Sequence, residues 1–346
     1  MRTLREEWQV LRGLPERESP TIGDEPCVEV CDRQRLCPNP LVSVICLVWG
    51  HEKWLDDCIS GMVNQETDFE YEILLCEDHS PDRCREICLT WQVKHPDKIR
   101  IVSGEKNLGV WKNASLGFRE SRGKYLAFLE GDDYWTDSQK LQKQINLVCE
   151  KGYRFVVAWN DLLDDATGVI TRQPFPAREV VTLGDYKGGY YHTSTYLYEK
   201  KLGQEIRAYC KFVKPYDTVV FLLALGLGVE IGVLPKKVSV YRQTGTGIYT
   251  GNTGAKNALV GIQMFMGLKR FGPKNLRTYC RYSYECALLD YFIHSCRAEG
   301  LRFRHFLALA FAIVNLTFRI NPRHVRFLWC SAVKSIFVSG RKGRES

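Results

Sequence analysis

A regular alternation of short apolar runs and helix-patterned segments between residues 41 and 151 constrains the fold of this chain most strongly. The run Leu41–Val48 (LVSVICLV) is nearly continuous in apolar residues, as expected for a strand buried on both faces. Further strands are predicted at Tyr71–Cys76, Lys98–Val102 and Tyr125–Leu129. Strands that alternate with helices at this pitch form a mostly parallel sheet with right-handed crossovers. The sequence therefore predicts an α/β fold in which helices flank that sheet.

The helices predicted between and after these strands have apolar residues at helical spacing and cover Trp54–Asn64, Pro81–His95, Lys112–Arg122 and Asp137–Lys151. Gly123 is the predicted stop of the third of these helices. The second half is less regular, and its predicted elements are strands Phe155–Trp159 and Val229–Val233 and helix Asp217–Gly226. After about residue 251 the pattern is helical, which predicts a C-terminal helical extension.

Three segments follow from this pattern. Residues 1–38 form a polar leader, which has no apolar stretch of the signal-peptide kind and which we expect to pack loosely or not at all. Residues 39–250 form the predicted catalytic domain, and residues 251–346 form a helical, basic and amphipathic region. The prolines at 38 and 40 mark the first boundary.

The net charge of +8 lies in the tail, because residues 297–346 contain ten Lys and Arg against two Glu. The apolar run Phe306–Phe318 is too short for a membrane-spanning helix, which needs roughly 20 residues. Flanking arginines and a following basic stretch favour a helix lying on an anionic membrane surface. The alternative is a helix docked on the catalytic domain with a solvated basic face. No nucleic-acid-binding module is visible, so nucleic acid is not a predicted partner.

The fourteen cysteines are scattered and several fall in predicted core elements. Without a signal peptide, this distribution favours reduced thiols in a cytoplasmic protein. The group Cys27, Cys31 and Cys37 fits no common zinc spacing, and its role stays open.

Two acidic groups follow predicted strands directly. Glu77 and Asp78 come after the second strand, and Glu130, Asp132 and Asp133 come after the fourth, in the run LEGDDYW. Ligands of such sheets bind beyond the carboxyl ends of the strands, so we expect both groups to face one crevice. Clustered carboxylates repel one another and are held together best by a cation. Oxygen ligands favour Mn²⁺ or Mg²⁺. The alternative is a purely structural role, in which these acids occupy turns and helix caps.

The stretch from Leu41 to Lys151 resembles the N-terminal half of family-2 GT-A glycosyltransferases. The resemblance is carried in order by VSVICLVWGHEKWLDDCISGMVNQ, CEDHSPD and EKNLGVWKNASLGFRESRGKYLAFLEGDDYW. The last piece contains a variant of the DxD motif of the family, Glu130-Gly131-Asp132, with Asp133 adjacent. Each piece is weak alone, and their order and spacing over about 110 residues make the match specific. The resemblance implies a GT-A (Rossmann-like) fold.

The resemblance also implies roles for residues of the first half. Asp78 would hydrogen-bond the uracil ring, and Glu77 and Asn107 belong to the matched nucleotide-sugar segments. Asp132 would lie near the ribose and diphosphate and Asp133 near the metal. Which of Glu130, Asp132 and Asp133 contacts the metal directly is left open.

The second half resembles the acceptor half of the family more loosely. His192-Thr193-Ser194-Thr195 matches a segment that lines the site, and Asp217 matches the catalytic base. Arg242 matches the segment that closes over the diphosphate, whose charge paired guanidinium donors neutralise well. Removal of the acceptor proton by Asp217, with direct displacement at the anomeric carbon, gives inversion.

Two departures from the family pattern bear on this prediction. The usual Pro-Thr-Tyr-Asn after the first strand is replaced by Leu47-Val48-Trp49-Gly50, in which Trp49 is left to stack on the base. The residue before the base is Tyr216 in place of Glu or Gly.

His51 is assigned to a loop or surface position. A GT-A-like nucleotidyltransferase would need a Gly-rich loop after the first strand, which Trp49-Gly50-His51 does not provide.

Together these observations predict an inverting, metal-dependent glycosyltransferase at the cytoplasmic face of the cell membrane. It would move a sugar from a nucleotide-sugar, a UDP-sugar by the resemblance, to a glycan or lipid-linked acceptor in surface polysaccharide synthesis. The alternative is a degenerate GT-A protein that binds a nucleotide or partner without turnover. The donor sugar, the linkage and the oligomeric state are not readable from the sequence.

Overall fold

The computed structural model describes residues 25–172, 174, 178–186, 191–210, 213, 217–245, 247, 251–284, 286 and 287. Its strands are β1 Val28–Val30, β2 Val42–Val48, β3 Tyr71–Glu77, β4 Ile99–Ser103, β5 Tyr125–Glu130, β6 Tyr134–Trp135, β7 Phe155–Asp164, β8 Ile170–Thr171, β9 Val180–Val181, β10 Leu197–Glu199 and β11 Ile231–Gln243. Its α-helices are α1 Leu55–Val63, α2 Cys84–Lys94, α3 Val110–Glu120, α4 Lys140–Lys151, α5 Lys200–Arg207, α6 Asp217–Gly226 and α7 Gly254–Phe271. Short 3-10 turns cover Thr193–Thr195 and Lys274–Leu276.

One mixed sheet contains all the described strands, in the order β1-β4-β3-β2-β5-β10-β7-β11-β6, with β8 on β7 and β9 on β11. The block β4-β3-β2-β5 is parallel, as is the pair β7-β11. Strand β2 lies between β3 and β5, so the chain turns from one side of the sheet to the other at this strand. Such a switch point opens a crevice at the carboxyl ends of the strands.

The four strands and four helices predicted between residues 41 and 151 are confirmed, with ends that differ by a few residues. Strand β10, which pairs antiparallel with both β5 and β7, was not predicted because it has three residues and no alternation of its own. The predicted helix stop at Gly123 is wrong, because α3 ends at Glu120. A Cβ on Gly123 would lie 2.5 Å from the Ser43 backbone nitrogen, so this glycine lets the chain approach β2.

The expectation that the whole segment 1–38 packs loosely is wrong for its last part. Strand β1 pairs antiparallel with β4 and matches Val28 with Ser103. The Arg100 Nε atom lies 2.5 Å from Glu29 Oε1 and binds this strand to the sheet. Residues 1–24 lie outside the described residues.

The described residues divide into two compact units. Those up to 247, with Phe271–Leu276, form the first, and Gly251–Arg270 with the described part of 277–287 form the second. Within the described residues, no helix is long and apolar enough to cross a membrane. The basic tail at 297–346, with its predicted membrane surface, lies outside the described residues.

The core of the first unit is built on strands buried on both faces. All residues of β3 and β4 are buried, and β2 has one residue, Leu47, that is half-buried. A Cβ on Gly117 of α3 would lie 2.5 Å from Cys76 Sγ, so the glycine lets this helix approach the sheet. The cysteines of the described residues are free, including Cys46 and Cys58, whose sulfur atoms are 3.6 Å apart.

A buried carboxylate cluster joins β2, β3 and β4 at the end of the sheet opposite the crevice. Glu72 is fully buried and accepts hydrogen bonds from Ser43 Oγ at 2.6 Å and from Arg100 Nη1 at 3.0 Å. Arg122 donates to the same carboxylate through its backbone nitrogen at 2.7 Å and its Nε at 2.8 Å. Removing the Glu72 charge takes one of the two carboxylate partners from the buried Arg100, and breaking a buried ion pair in this way is strongly destabilising.

We therefore expect Glu72→Gln to lower the free energy of unfolding by about 3–5 kcal/mol, as in broken buried ion pairs. The matched control is Arg33→Ala, which removes a side chain that is 84% exposed and pairs with Glu29. That variant should stay within about 0.5 kcal/mol of the wild type. Urea unfolding followed by circular dichroism measures both, and equal midpoints for the two variants would contradict the cluster's role.

Lys140, the first residue of α4, has a fully buried side chain. Its Nζ donates to Gln144 Oε1 at 2.8 Å and lies 4.2 Å from the centroid of the Trp135 ring. Burial lowers the pKa of this lysine from 10.5 to about 7. Between these two values the folded protein has released the proton and the unfolded chain keeps it, so the free energy of unfolding rises with pH.

In the wild type, Lys140 takes up a proton on unfolding between these pH values, and Lys140→Met removes that uptake. The free energy of unfolding of the wild type, minus that of the Met variant, should increase from pH 7 towards pH 10.5 and stay level below pH 7. Urea titrations at several pH values measure the difference, and Lys151→Met, at the exposed end of the same helix, is the control. Parallel profiles for wild type and Lys140→Met would contradict a buried lysine that titrates near neutrality.

Candidate active site

The crevice side of the sheet is fixed by the turn between β5 and β6. Glu130 is the last residue of β5, and Tyr134 begins β6. Gly131 donates its backbone N–H to Leu47 O of β2 at 2.9 Å, and Asp133 N–H donates to Glu130 O at 3.0 Å. The turn therefore holds the acidic run LEGDDYW against the end of β2, as the strand-end pattern predicts.

Three side chains converge at this turn. Glu130, Asp133 and His192 each offer one ligand atom, and these atoms all lie within 4.8 Å of one another. Asp133 is 1% exposed, and its Oδ2 lies 3.6 Å from His192 Nδ1. Asp132, predicted with Glu130 and Asp133 as a metal ligand, lies outside this group, and His192, predicted as a nucleotide-sugar contact, lies inside it. We call Glu130, Asp133 and His192 the convergent triad.

Two carboxylate oxygens of the triad have no hydrogen-bond donor among the described residues, Glu130 Oε2 and Asp133 Oδ2. Buried polar atoms in folded proteins almost always have a partner, so a missing one calls for an explanation. A divalent cation accepts carboxylate oxygens and an imidazole nitrogen as ligands. The residues present therefore fit a metal ion at this point.

The electrostatics of the triad point the same way. Burial, together with the neighbouring Asp132 and Asp217 charges, raises the pKa of Glu130 to about 8. Burial, followed by the Asp132 and Glu130 charges, raises the pKa of Asp133 well above its usual range. Burial lowers the pKa of His192 to about 3, so the imidazole is neutral and brings no compensating charge. A cation supplies the missing positive charge.

The segment His192–Thr195 is held by several contacts that orient the imidazole. His192 Nδ1 is 2.8 Å from Ser194 Oγ, which is 2.9 Å from Ser239 Oγ on β11. The imidazole stacks on Tyr241 with ring centroids 4.2 Å apart. Gln144 of α4 donates to Thr195 O at 2.8 Å. These contacts fix the segment beside Asp133 of the acidic turn.

Arg242 on β11 contacts the acidic turn through both its backbone and its side chain. Its backbone N–H donates to Asp133 Oδ1 at 2.8 Å, and its Nε donates to Asp132 O at 2.9 Å. Its guanidinium also pairs with Asp165 at 3.0 Å and with Asp57 at 3.7 Å. The side chain that we predicted to neutralise diphosphate is thus 10% exposed and paired with carboxylates.

The acids after β3 organise the neighbouring loop. The Asp78 carboxylate accepts the backbone N–H groups of Leu108 at 2.6 Å and Gly109 at 2.8 Å. Asn107 Nδ2 donates to Asp78 O at 2.7 Å. Burial raises the pKa of Asp78, and the two backbone hydrogen bonds oppose that shift. Asp78 and Asn107, predicted to contact the nucleotide-sugar, together fix the segment that leads into α3.

Glu77 and Trp49, also predicted to bind the nucleotide-sugar, differ in exposure. Glu77 is 2% exposed, accepts the Ser80 N–H at 2.6 Å and pairs with Arg85 at 3.4 Å. Trp49 follows β2 and is 53% exposed. The glutamate therefore contacts protein, whereas the indole has a free face at the crevice end of the sheet.

Asp217 begins α6, and its Oδ1 accepts the Thr218 N–H at 2.6 Å. Its charge, after burial and the Asp132 charge, contributes to the raised pKa of Glu130, so it lies on the triad side of the sheet. Tyr196 Oη donates to Asp217 O at 3.4 Å. Tyr216, noted above as a departure from the family pattern, lies outside the described residues.

Three contributors to the site were missed from the sequence, namely His51, Asp57 and Asp165. His51 was assigned to a loop or surface position, yet its Nε2 lies 3.9 Å from Asp132 Oδ1 and its side chain is 20% exposed. Burial lowers its pKa, which the Asp132 charge opposes. The sequence feature that could have identified His51 is its position three residues beyond the end of β2. No sequence signal marks Asp165, because its partners in the site, Trp54 and Arg242, are distant in the chain.

The chain is similar in sequence to a known protein family and to several known proteins. The family model for glycosyl transferase family 2 matches residues 43–219, 177 of 346 residues. An uncharacterised Mycobacterium tuberculosis protein is 26% identical over 213 residues, which cover 60% of each chain, so this chain spans less than two thirds of that relative. The putative teichuronic acid biosynthesis glycosyltransferase TuaG of Bacillus subtilis is 29% identical over 117 residues, 34% of this chain and 45% of that protein.

Solved structures share the fold at low sequence identity. Staphylococcus aureus TarS residues 1–349 with UDP-GlcNAc aligns with a TM-score of 0.58 and 16% identity, covering 83% of both chains. The Pyrobaculum calidifontis mannosyltransferase PcManGT with GDP-Man and Mn²⁺ aligns with a TM-score of 0.54 and 14% identity, covering 96% of this chain and 94% of that one. From the family match and this shared architecture, the chain belongs to glycosyl transferase family 2 and has the GT-A fold.

Proposed function

We propose that this protein is a metal-dependent, inverting glycosyltransferase that uses a UDP-sugar and a glycan or lipid-linked acceptor. The observation that carries the proposal is the convergent triad, whose two buried carboxylate oxygens have no donor in the part of the chain that the structure describes. A structural acid cluster would be expected to satisfy these oxygens with protein donors, as the Glu72 carboxylate does. The triad instead presents them to one point at the carboxyl ends of the strands.

Glu130, Asp133 and His192 are the residues that would hold the cation. Our sequence prediction of Mn²⁺ or Mg²⁺ rested on oxygen ligands alone. An imidazole in the set favours Mn²⁺ over Mg²⁺, since Mg²⁺ prefers oxygen and keeps several waters. When bound, the cation supplies Lewis-acid stabilisation of the leaving diphosphate.

The donor would lie over the end of β2. The exposed indole of Trp49 offers a stacking face for the base, and the loop fixed by Asp78 and Asn107 borders it. Asp132 faces the same side, outside the triad, which suits a contact with the ribose or diphosphate through a water or hydroxyl. A uridine nucleotide is favoured because TarS aligns with UDP-GlcNAc bound and the chain matches the acidic uridine-binding segment in sequence.

Asp217 is the proposed general base. Its Oδ1 accepts the N–H of the next residue, which orients the carboxylate at the first turn of α6. There it would take the proton from the acceptor hydroxyl as the oxygen attacks the anomeric carbon from the face opposite the diphosphate. One base and no enzyme nucleophile give a single displacement, and hence inversion.

The acceptor side rests on weaker similarity. The named Bacillus relative suggests a surface polysaccharide, so we propose this as the setting of the reaction. The excess of basic residues at 297–346 favours attachment to an anionic membrane surface at the cytoplasmic face, where a lipid-linked acceptor would be presented.

Asp217→Asn tests the base. We expect kcat to fall by a factor of about 10²–10⁴, the usual contribution of general-base catalysis, while the Kd of UDP changes by less than about twofold. Asp68→Asn is the matched control, since Asp68 is exposed and precedes β3 at the opposite end of that strand. Transfer is measured as UDP release from UDP-sugars with candidate acceptors. Unchanged turnover in Asp217→Asn would remove this residue from the mechanism.

The metal assignment is tested by calorimetric titration with UDP, GDP and CDP, with and without Mn²⁺. We expect UDP to bind more tightly with Mn²⁺, and Asp133→Asn to weaken this metal-dependent binding by at least about tenfold, since even residues that only support metal ligands contribute this much. Asp68→Asn should match the wild type. No binding of any nucleotide by the folded protein would instead favour the non-catalytic alternative, in which the chain binds a partner without turnover.

A further inference from the structure

The residue at the centre of the acidic turn, Gly131, packs directly against an imidazole. A Cβ at Gly131 would lie 2.5 Å from His51 Nδ1 and 3.2 Å from its Cγ. Gly131 does not have a positive φ, so its backbone conformation does not itself require glycine. The missing side chain therefore provides room for the His51 ring, which supplies the three atoms nearest to the position of that Cβ.

Hydrogen bonds fix the backbone of His51, so a shift of the whole loop cannot carry the imidazole ring away from Gly131. Its N–H donates to Cys84 Sγ at 3.2 Å, and its carbonyl accepts the N–H groups of Trp54 at 2.9 Å and Leu55 at 3.0 Å. The ring also packs on Trp54, with centroids 6.5 Å apart. The imidazole is thus held between the start of α1 and the acidic turn.

The direction of the ring follows from its two nitrogens. Nδ1 faces the Trp49 N–H at 3.4 Å and so acts as an acceptor. In a neutral imidazole the proton is then on Nε2, which lies 3.9 Å from Asp132 Oδ1. This N–H dipole points at the Asp132 carboxylate across a gap that is longer than a hydrogen bond and short enough for a favourable electrostatic interaction.

We propose that His51 is a positioning residue that, seated against Gly131, holds the Asp132 carboxylate out of the convergent triad and towards the nucleotide-sugar. This assignment rests on the proposed function and deepens it, since it divides the two adjacent aspartates between two tasks. Asp133 points into the triad, with Oδ1 bound by the Arg242 N–H. Asp132 has its carboxylate at His51 and its carbonyl at the Arg242 Nε. The two side chains are therefore separated by contacts on opposite sides of the turn.

The packing is tested without any ligand by a double-mutant cycle on the metal-free protein. Gly131→Ala alone should lower Tm by about 2–8 °C, because the added methyl overlaps the imidazole. In the His51→Ala background the same methyl enters the space left by the ring, and its effect on Tm should largely vanish. Additive shifts in the two backgrounds would overturn the packing of His51 on Gly131.

The orientation of Asp132 is tested by two conservative variants of His51. In His51→Gln the side-chain amide reaches the Nε2 position and keeps a donor towards Asp132. In His51→Asn the shorter amide reaches the Nδ1 position and loses it. We expect His51→Asn to raise the Kd of UDP in saturating Mn²⁺ by about tenfold, and His51→Gln to stay within about threefold of the wild type. Both should keep the wild-type affinity for Mn²⁺ alone, measured by electron paramagnetic resonance.

The outcomes separate the inference from the proposed function. Equal UDP binding by His51→Asn, His51→Gln and the wild type would overturn the positioning role and leave the proposed function standing. A loss of affinity for Mn²⁺ alone in His51→Asn would also overturn it, because Asp132 would then belong to the metal site. A wild-type protein that binds neither Mn²⁺ nor UDP would overturn the proposed function, and with it the role of Asp132, whereas the unfolding cycle would still decide the packing.

Discussion

The backbone hydrogen bond from Gly131 to Leu47, together with that from Arg242 to the Asp133 carboxylate, ties three strands to one acidic turn. Strands β2 and β5 are parallel neighbours, whereas β11 reaches the turn from the far part of the sheet, next to β6. The contacts of the convergent triad depend on this meeting point. The triad needs β11 for Ser239, which hydrogen-bonds Ser194 and so supports the serine that contacts His192. The pairing of β7 with β11 brings Asp165, which follows β7, to Arg242.

The acidic turn concentrates negative charge at a place where the fold supplies little positive charge. Arg242 is the neighbouring cation, and its guanidinium is divided between the Asp132 carbonyl, Asp165 and Asp57. Asp133 therefore receives one backbone N–H, and its buried Oδ2 has no donor among the residues that the structure describes. The free energy that burial of these acids costs favours either protonation or a bound cation. Under the proposed function, a metal-nucleotide complex would supply the cation and make protonation unnecessary, so ligand binding would be coupled to the charge state of the turn.

The parallel half of the sheet and the acidic turn could be predicted from the sequence because both are local. Buried strands such as Val42–Val48 are continuous apolar runs, and carboxylates placed directly after strands must lie at the same edge. The triad could not be predicted in full, because His192 joins Glu130 and Asp133 across 59 residues or more of chain. Its neighbour β10 is three residues long, and its pairing between β5 and β7 has no local signal. The strand β1 was missed for the same reason, since its attachment depends on Arg100 and the buried Glu72.

On the side of the crevice where we propose that the nucleotide binds, the motif residues also hold the fold together. Both Asp78 oxygens accept backbone N–H groups of the loop before α3, at 2.6 and 2.8 Å. A carboxylate oxygen has two lone pairs, so one further donor on each oxygen is compatible with this geometry. An incoming base would thus meet a carboxylate already fixed in place and need not order it on binding. Rigidity of this kind lowers the entropic cost of binding, and it leaves the exposed Trp49 as the side chain whose ordering the donor must drive.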